Sequence, residues 1–258
     1  MEFSEVRAYQ PGDDVRSIDW RVTARRQKAH TKIFHEERER PILIVCDQSQ
    51  SMYFGSQVRF KSFVCAQLSA LFAWAAHSHS DRVGGIVFND ATHREFKPTL
   101  NRKHLLNFLG AISELNNSLS LSSLDESTLT FKDLLKETVR LAKPGTLIIF
   151  VSDFGNLNKE CEKELSQLAN HCEMTFVQVQ DPIEISLPPD GFLPISNGEE
   201  ALTINTRNKD LYKRYQAWVS NRQDYIESIA RSYRSPFLKV NTVDDPVDQA
   251  RRLVTGLF

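Results

Sequence analysis

Pro41-Ile42-Leu43-Ile44-Val45-Cys46, followed at once by Asp47-Gln48-Ser49-Gln50-Ser51, is the stretch on which the fold of this chain turns. An unbroken apolar, largely β-branched run predicts a strand buried on both faces of a parallel sheet, because a half-exposed strand would alternate apolar and polar residues. The run ends in a short cluster of carboxylate, amide and hydroxyl groups. A helix is expected next, from about Arg59 to His77, with Phe60, Phe63, Val64, Leu68, Leu71, Phe72 and Ala75 at helical spacing.

The same alternation continues outward. Val83 to Phe88 predicts a second core strand, Thr92 to Pro98 an edge strand, and Asn101 the N-cap of a helix running to about Leu115. Asn116 to Thr130 is rich in Ser, Asn and Thr and reads as a loop before a helix at Phe131 to Ala142. Lys143-Pro144-Gly145 then separates that helix from a third core strand, Thr146 to Ser152. A helix at about Lys159 to Asn170 and a strand at Met174 to Gln180 complete the series. Strands alternating with helices predict βαβ units and a mostly parallel α/β sheet flanked by helices.

Beyond that core, Phe192 to Thr206 reads as a hairpin turning at Asn197-Gly198, Leu211 to Tyr233 as a long amphipathic helix, Phe237 to Val240 as a last strand, and Asp245-Pro246 as the start of a closing helix. Residues 1–40 are dense in both signs of charge, with Tyr9, Trp20 and Phe34 as scattered aromatic anchors, and read as an extended arm packed on the core. The expected organisation is therefore an arm over 1–40, an α/β domain over 41–185, and a C-terminal α+β extension over 186–258 that completes the same globule.

Composition narrows the function classes. Lys and Arg total 32 against 33 Asp and Glu in 258 residues, a net charge of −1, so no bulk attraction to nucleic acid is expected. The basic run Arg7, Arg16, Arg21, Arg25, Arg26 and Lys28 reads as a salt-bridged face with Asp13, Asp14, Asp19, Glu36 and Glu37. Apolar runs such as Gly145 to Val151 are too short to span a bilayer, and no secretory signal pattern opens the chain. None of the four cysteines has C-x-x-C spacing; reduced, buried thiols fit a cytoplasmic location. Nucleophile elbows, phosphate loops, H-E-x-x-H and the dinucleotide-binding glycine pattern are all missing.

Ligands of open α/β sheets bind beyond the carboxyl ends of the strands. Two strands end there in oxygen donors, Asp47-x-Ser49-x-Ser51 and Ser152-Asp153, and a loop with Thr128 and Thr130 precedes the helix at Phe131. Hard divalent cations want about six oxygen ligands, and short side chains on a strand-to-helix turn can aim alternate oxygens at one point. Two hydroxyls with few direct carboxylates would leave a bound ion electrophilic, able to capture a carboxylate from outside. No base accompanies the serines, so binding rather than turnover is expected. The alternative, a Mg²⁺-dependent hydrolase using Asp47 and Asp153, lacks the second carboxylate that D-x-D phosphatases carry.

Asp47-Gln48-Ser49-Gln50-Ser51 resembles the metal-ion-dependent adhesion site of von Willebrand factor A domains, and the element order from Pro41 to about Gln180 resembles their Rossmann-like fold. The flank Arg7-Ala8-Tyr9-Gln10-Pro11-Gly12-Asp13-Asp14-Val15-Arg16-Ser17-Ile18-Asp19-Trp20, with Thr23-Ala24-Arg25-Arg26 and Glu36-Glu37, resembles the signature of the bacterial domain of unknown function 58 family, over essentially the whole chain. The resemblance implies a Mg²⁺ site (or Mn²⁺ or Ca²⁺) at Asp47, Ser49, Ser51 and Asp153 with a threonine before Phe131, either Thr128 or Thr130, Thr128 being slightly favoured. It also implies a protein partner offering an acidic side chain, a MoxR-type AAA+ ATPase or its client. Ser152-Asp153-Phe154-Gly155 departs from the commoner Thr-Asp-Gly of these domains.

Overall fold

The computed structural model describes residues 2–35, 39–120, 129–188, 191–196 and 201–254. The chain divides into two compact units, Met1–Glu39 and Arg40–Phe258.

The first unit is no extended arm. Strand β1 (Glu2–Ala8) pairs antiparallel with β2 (His30–His35), and helix α1 (Trp20–Arg26) lies in the connection between them. Aspartates build the connection by satisfying backbone donors. Asp13 accepts from Gln10 N at 2.9 Å and pairs with Arg7 at 2.7 Å. Asp19 caps α1, accepting from Arg21 N and Val22 N at 3.0 and 3.1 Å. Gln27, at φ 54°, ends the helix in the left-handed region. Trp20 is no anchor, since 68% of its surface is exposed. The expected Glu36-Glu37 pair lies outside the described residues.

The second unit is built on one six-stranded sheet. Its elements in chain order are β3 (Pro41–Asp47), α2 (Lys61–Ser78), β4 (Arg82–Phe88), β5 (His93–Thr99), α3 (Arg102–Ser118), α4 (Phe131–Leu141), β6 (Leu147–Ser152), α5 (Glu162–Ala169), β7 (Glu173–Gln180), α6 (Pro182–Ile185), β8 (Phe192–Ser196), β9 (Ala201–Asn205), α7 (Lys209–Ser232), β10 (Phe237–Asn241) and α8 (Pro246–Val254). The strand order is β10-β7-β6-β3-β4-β5, all parallel except the edge strand β5. The last strand of the C-terminal region thus extends the central sheet, while β8 and β9 form a separate antiparallel pair. The expected turn at Asn197-Gly198 lies outside the described residues.

Strand β3 sits in the middle of the sheet, and its six residues after Pro41 are all buried. Alternate residues face opposite layers. Ile42, Ile44 and Cys46 join Val64, Leu68 and Phe72 of α2 and Leu105 and Phe108 of α3. Leu43 and Val45 join Leu134 and Leu135 of α4, Leu165 of α5, and Ile226 and Ile229 of α7. Helices on both faces explain why the strand sequence shows no polar alternation. No helix among the described residues is long and apolar enough to cross a membrane.

The close approach of α3 to β4 depends on Gly85. A Cβ there would stand 2.3 Å from the Phe108 ring and 2.6 Å from the Ile44 carbonyl oxygen. Gly85→Val is expected to lower unfolding free energy by about 1–3 kcal/mol through overpacking. Urea denaturation measures this; an unchanged midpoint would mean that Phe108 does not pack against the strand.

Candidate metal centre

Parallel pairing of β3 with β6 sets Cys46 opposite Val151, so the two strands end side by side. That register brings Asp47 next to Ser152 and Asp153. The Asp47 carboxylate is buried, 3% exposed, and both its oxygens have partners: Oδ1 accepts from Ser49 N at 2.8 Å and Oδ2 from the Ser152 hydroxyl. Ser49 and Ser51 place their Oγ atoms 3.2 Å apart. The Ser51 hydroxyl also stabilises the charged form of Asp153. Asp47, Ser49, Ser51 and Asp153 therefore converge on one region beyond the carboxyl end of the sheet.

Neighbouring groups hold this turn rigidly. Gln48 is fully buried; its Nε2 donates to the Ser62 carbonyl at 3.1 Å and its Oε1 accepts from Asn116 Nδ2 at 2.8 Å. Asp90, just beyond β4, accepts from Gln50 N. On the β6 side, Ser152 Oγ accepts from Phe154 N at 2.9 Å, and Asp153 Oδ1 accepts from Gly155 N at 2.7 Å. Phe154 has φ 56°, a conformation that favours glycine. Its ring is fully buried, with the Phe131 and Phe176 rings at 6.3 and 5.6 Å. Burying that ring offsets the backbone strain, which accounts for phenylalanine standing where the commoner pattern has glycine.

Charge at the site is uneven. Burial first, and the neighbouring Asp153 charge second, push the Asp47 carboxyl up to about 7. Burial acts to raise Asp153 as well, but the Lys61 ammonium beside it outweighs that effect and holds its carboxyl below the usual range. Lys61 opens α2 and is only 2% exposed. Its Nζ donates to Asp153 Oδ2 at 2.8 Å and to Glu184 Oε1 at 2.7 Å, and it hydrogen-bonds to neither Asp47 nor the two serines. The amine is thus shared between Asp153 and Glu184. A cavity of about 340 Å³, lined by Lys61, Asp153, Glu184, Tyr215, Trp218 and Arg222 among others, opens beside this pair.

The donor set is hard: two neutral hydroxyls and two carboxylates, with no sulfur or imidazole. It suits Mg²⁺, Mn²⁺ or Ca²⁺, and Asp47 has no ion-pair partner among the described residues. Thr128 lies outside the described residues. Thr130 is exposed and caps α4, its Oγ1 accepting from Asp133 N at 3.1 Å and donating to Asp133 Oδ2 at 2.6 Å. A helix cap and a ligand compete for the same oxygen, and at Thr130 the cap has it.

Lys61, Glu184 and Asp90 were not read from the sequence as parts of the site. Lys61 carried a signal all the same: a cation in the first turn of a helix opposes the helix dipole and calls for nearby carboxylates. Glu184 and Asp90 had none, because only the fold brings them close. A second potential ligand group, His93, Glu95 and Glu137, also gathers within 4.8 Å, but Arg140 pairs with both of its carboxylates and balances their charge.

Ser152→Ala removes a donor to the buried Asp47 carboxylate and the acceptor of Phe154 N–H. The expected cost is about 1–3 kcal/mol, read from chemical denaturation; an unaltered stability would show that the Asp47–Ser152 bond does not hold the two turns together.

Comparison with known proteins agrees with this architecture. The protein Rv1480 of Mycobacterium tuberculosis strain H37Rv, itself uncharacterized, is 28% identical over 260 residues, spanning 99% of this chain and 79% of its own length. The crystal structure of the conserved hypothetical protein BatB from Bacteroides thetaiotaomicron matches with a TM-score of 0.50 at 14% identity, over 83% of this chain and 97% of its own. A von Willebrand factor type A structure from Catenulispora acidiphila matches with a TM-score of 0.50 at 11% identity, over 88% of this chain and 43% of its own. Identities this low speak for the fold alone, which is von Willebrand factor A-like as the sequence led us to expect. Residues 5–225 match the family described as "Protein of unknown function DUF58", and the chain belongs to that family.

Proposed function

We propose that this protein is a divalent-cation-dependent protein-binding module that captures an acidic side chain of a partner. The observation that carries the reading is the pair of serine hydroxyls, 3.2 Å apart, beside two carboxylates at the ends of adjacent parallel strands. Asp47, Ser49 and Ser51 would hold the ion, with Asp153 as the second carboxylate; the ion would act as a Lewis acid toward an incoming oxygen. The chain's own residues bury the Asp47 carboxylate, aim the two hydroxyls and pair Asp153 with Lys61. The partner is proposed to be a MoxR-type AAA+ ATPase or its client, on the strength of the family resemblance.

Two measurements test this. A ligand that binds only the native state stabilises it, by about 2.7 kcal/mol at one hundred times its dissociation constant. Mg²⁺ or Mn²⁺ should therefore raise the melting temperature of the wild type and leave Asp47→Ala unmoved; identical shifts in both would remove the site. Retention of a partner on immobilised protein should be lost with chelator and with Asp47→Ala, and retention indifferent to both would sink the metal-mediated mode. Phosphate-ester turnover that vanishes in Asp47→Asn would instead favour a hydrolase.

A further inference from the structure

Lys61 stands where elementary electrostatics argues against it. It is the first residue of α2, where the backbone N–H groups present partial positive charge, and it is almost completely buried. Burying an ammonium is costly unless it is paired and hydrogen-bonded. Here Asp153 and Glu184 each hold it at hydrogen-bonding distance, and the Phe54 ring lies 5.8 Å away. Glu184 is itself fixed: Oε2 accepts from Asp181 N at 3.2 Å in the capping box of α6, and its carbonyl oxygen accepts from the Tyr215 hydroxyl of α7 at 2.9 Å. The ammonium is thus anchored by two carboxylates, of which only Asp153 belongs to the candidate metal centre.

We infer that Lys61 is a positioning residue that tunes the cation site: it holds Asp153 in an internal ion pair, so cation binding is weakened and the remaining negative charge must come from outside the chain. The inference rests on the metal reading proposed above. With Asp153 engaged by Lys61, Asp47 is the carboxylate of the proposed donor set that has no ion-pair partner among the described residues. A divalent charge there is only partly balanced by Asp47 and two neutral hydroxyls, and an external carboxylate completes the balance. Glu184 gives the ammonium a second hold, so Asp153 can turn toward a cation without leaving Lys61 buried and unpaired. The requirement for an acidic partner then follows from the charge arrangement at Lys61 as well as from the serine donors.

The test is Mn²⁺ titration of the full chain, followed by the electron paramagnetic resonance signal of free Mn²⁺, for wild type, Lys61→Met, Lys61→Arg, Glu184→Gln and Asp47→Ala. Lys61→Met should bind Mn²⁺ about tenfold tighter than wild type, the scale on which one charge at 4–6 Å shifts a carboxylate. Lys61→Arg should return to weak binding. Glu184→Gln, which leaves the ammonium to Asp153 alone, should bind more weakly than wild type. Equal or weaker binding by Lys61→Met, with binding still lost in Asp47→Ala, overturns the role of Lys61 and leaves the metal site standing. No binding by wild type or Lys61→Met, or binding undiminished in Asp47→Ala, overturns the metal reading and this inference with it. If Lys61→Met does not fold, Glu184→Gln decides: affinity equal to or above wild type refutes the tuning role.

Discussion

Two carboxylates are held at the ends of adjacent buried strands, and much of the second unit's local chemistry is an answer to that placement. The parallel register of β3 against β6 sets Asp47 beside Ser152 and Asp153. A buried carboxylate needs hydrogen bonds or a counter-ion to remain charged. Asp47 receives hydrogen bonds, from Ser49 N and the Ser152 hydroxyl; Asp153 receives both, from Gly155 N and Lys61. The two acids thus experience opposite environments only one strand apart, and burial drives Asp47 toward its neutral form while Lys61 keeps Asp153 ionised.

That asymmetry connects the sheet to the C-terminal region. Lys61 cannot be buried with Asp153 alone as cheaply as with two acids, and the second acid comes from α6. Helix α6 is four residues long and gains its definition from the Asp181 cap. Asp181 also accepts from Ser56 N at 2.9 Å and from the Thr242 hydroxyl at 2.6 Å, so one buried aspartate ties the loop before α2 to the segment after β10. The loop carrying the serine motif, the Lys61 pair and the segment beyond β10 are consequently joined by one chain of charge-assisted hydrogen bonds, which are stronger than neutral ones.

The first unit uses acidic side chains differently. Asp13, Asp14 and Asp19 cap turns and a short helix, so their charge is drawn into local backbone donors. Arg7 and Lys32 pair with Asp13 and Asp19, while Arg25 and Arg26 lie in the last turn of α1, where the helix dipole favours cations. The charge density of this segment therefore stabilises a small folded unit and does not mark an extended arm. Charge alternation by itself does not distinguish the two, because a capping aspartate and a solvated one look the same in a sequence.

Periodicity determined the order and type of nearly every element from Pro41 onward, since a strand buried on both faces and an amphipathic helix bury different patterns of residues. Position at the end of β3 and β6 likewise marked Asp47, Ser49, Ser51 and Asp153, because side chains at strand ends in an open parallel sheet face a common edge. Local pattern could not reveal the partners of those residues. Lys61 lies 92 residues from Asp153 and 123 from Glu184, and which acid meets which base over such separations is set by strand order and helix packing. Thr130 shows the converse limit: spacing admitted it as a ligand, and a cap bond to Asp133, three residues on, claimed its hydroxyl first. The sequence thus determined the scaffold and the oxygen donors, whereas the charge balance that governs what those donors can bind was decided by tertiary contacts alone, because Coulomb interactions depend on distance in space and not along the chain.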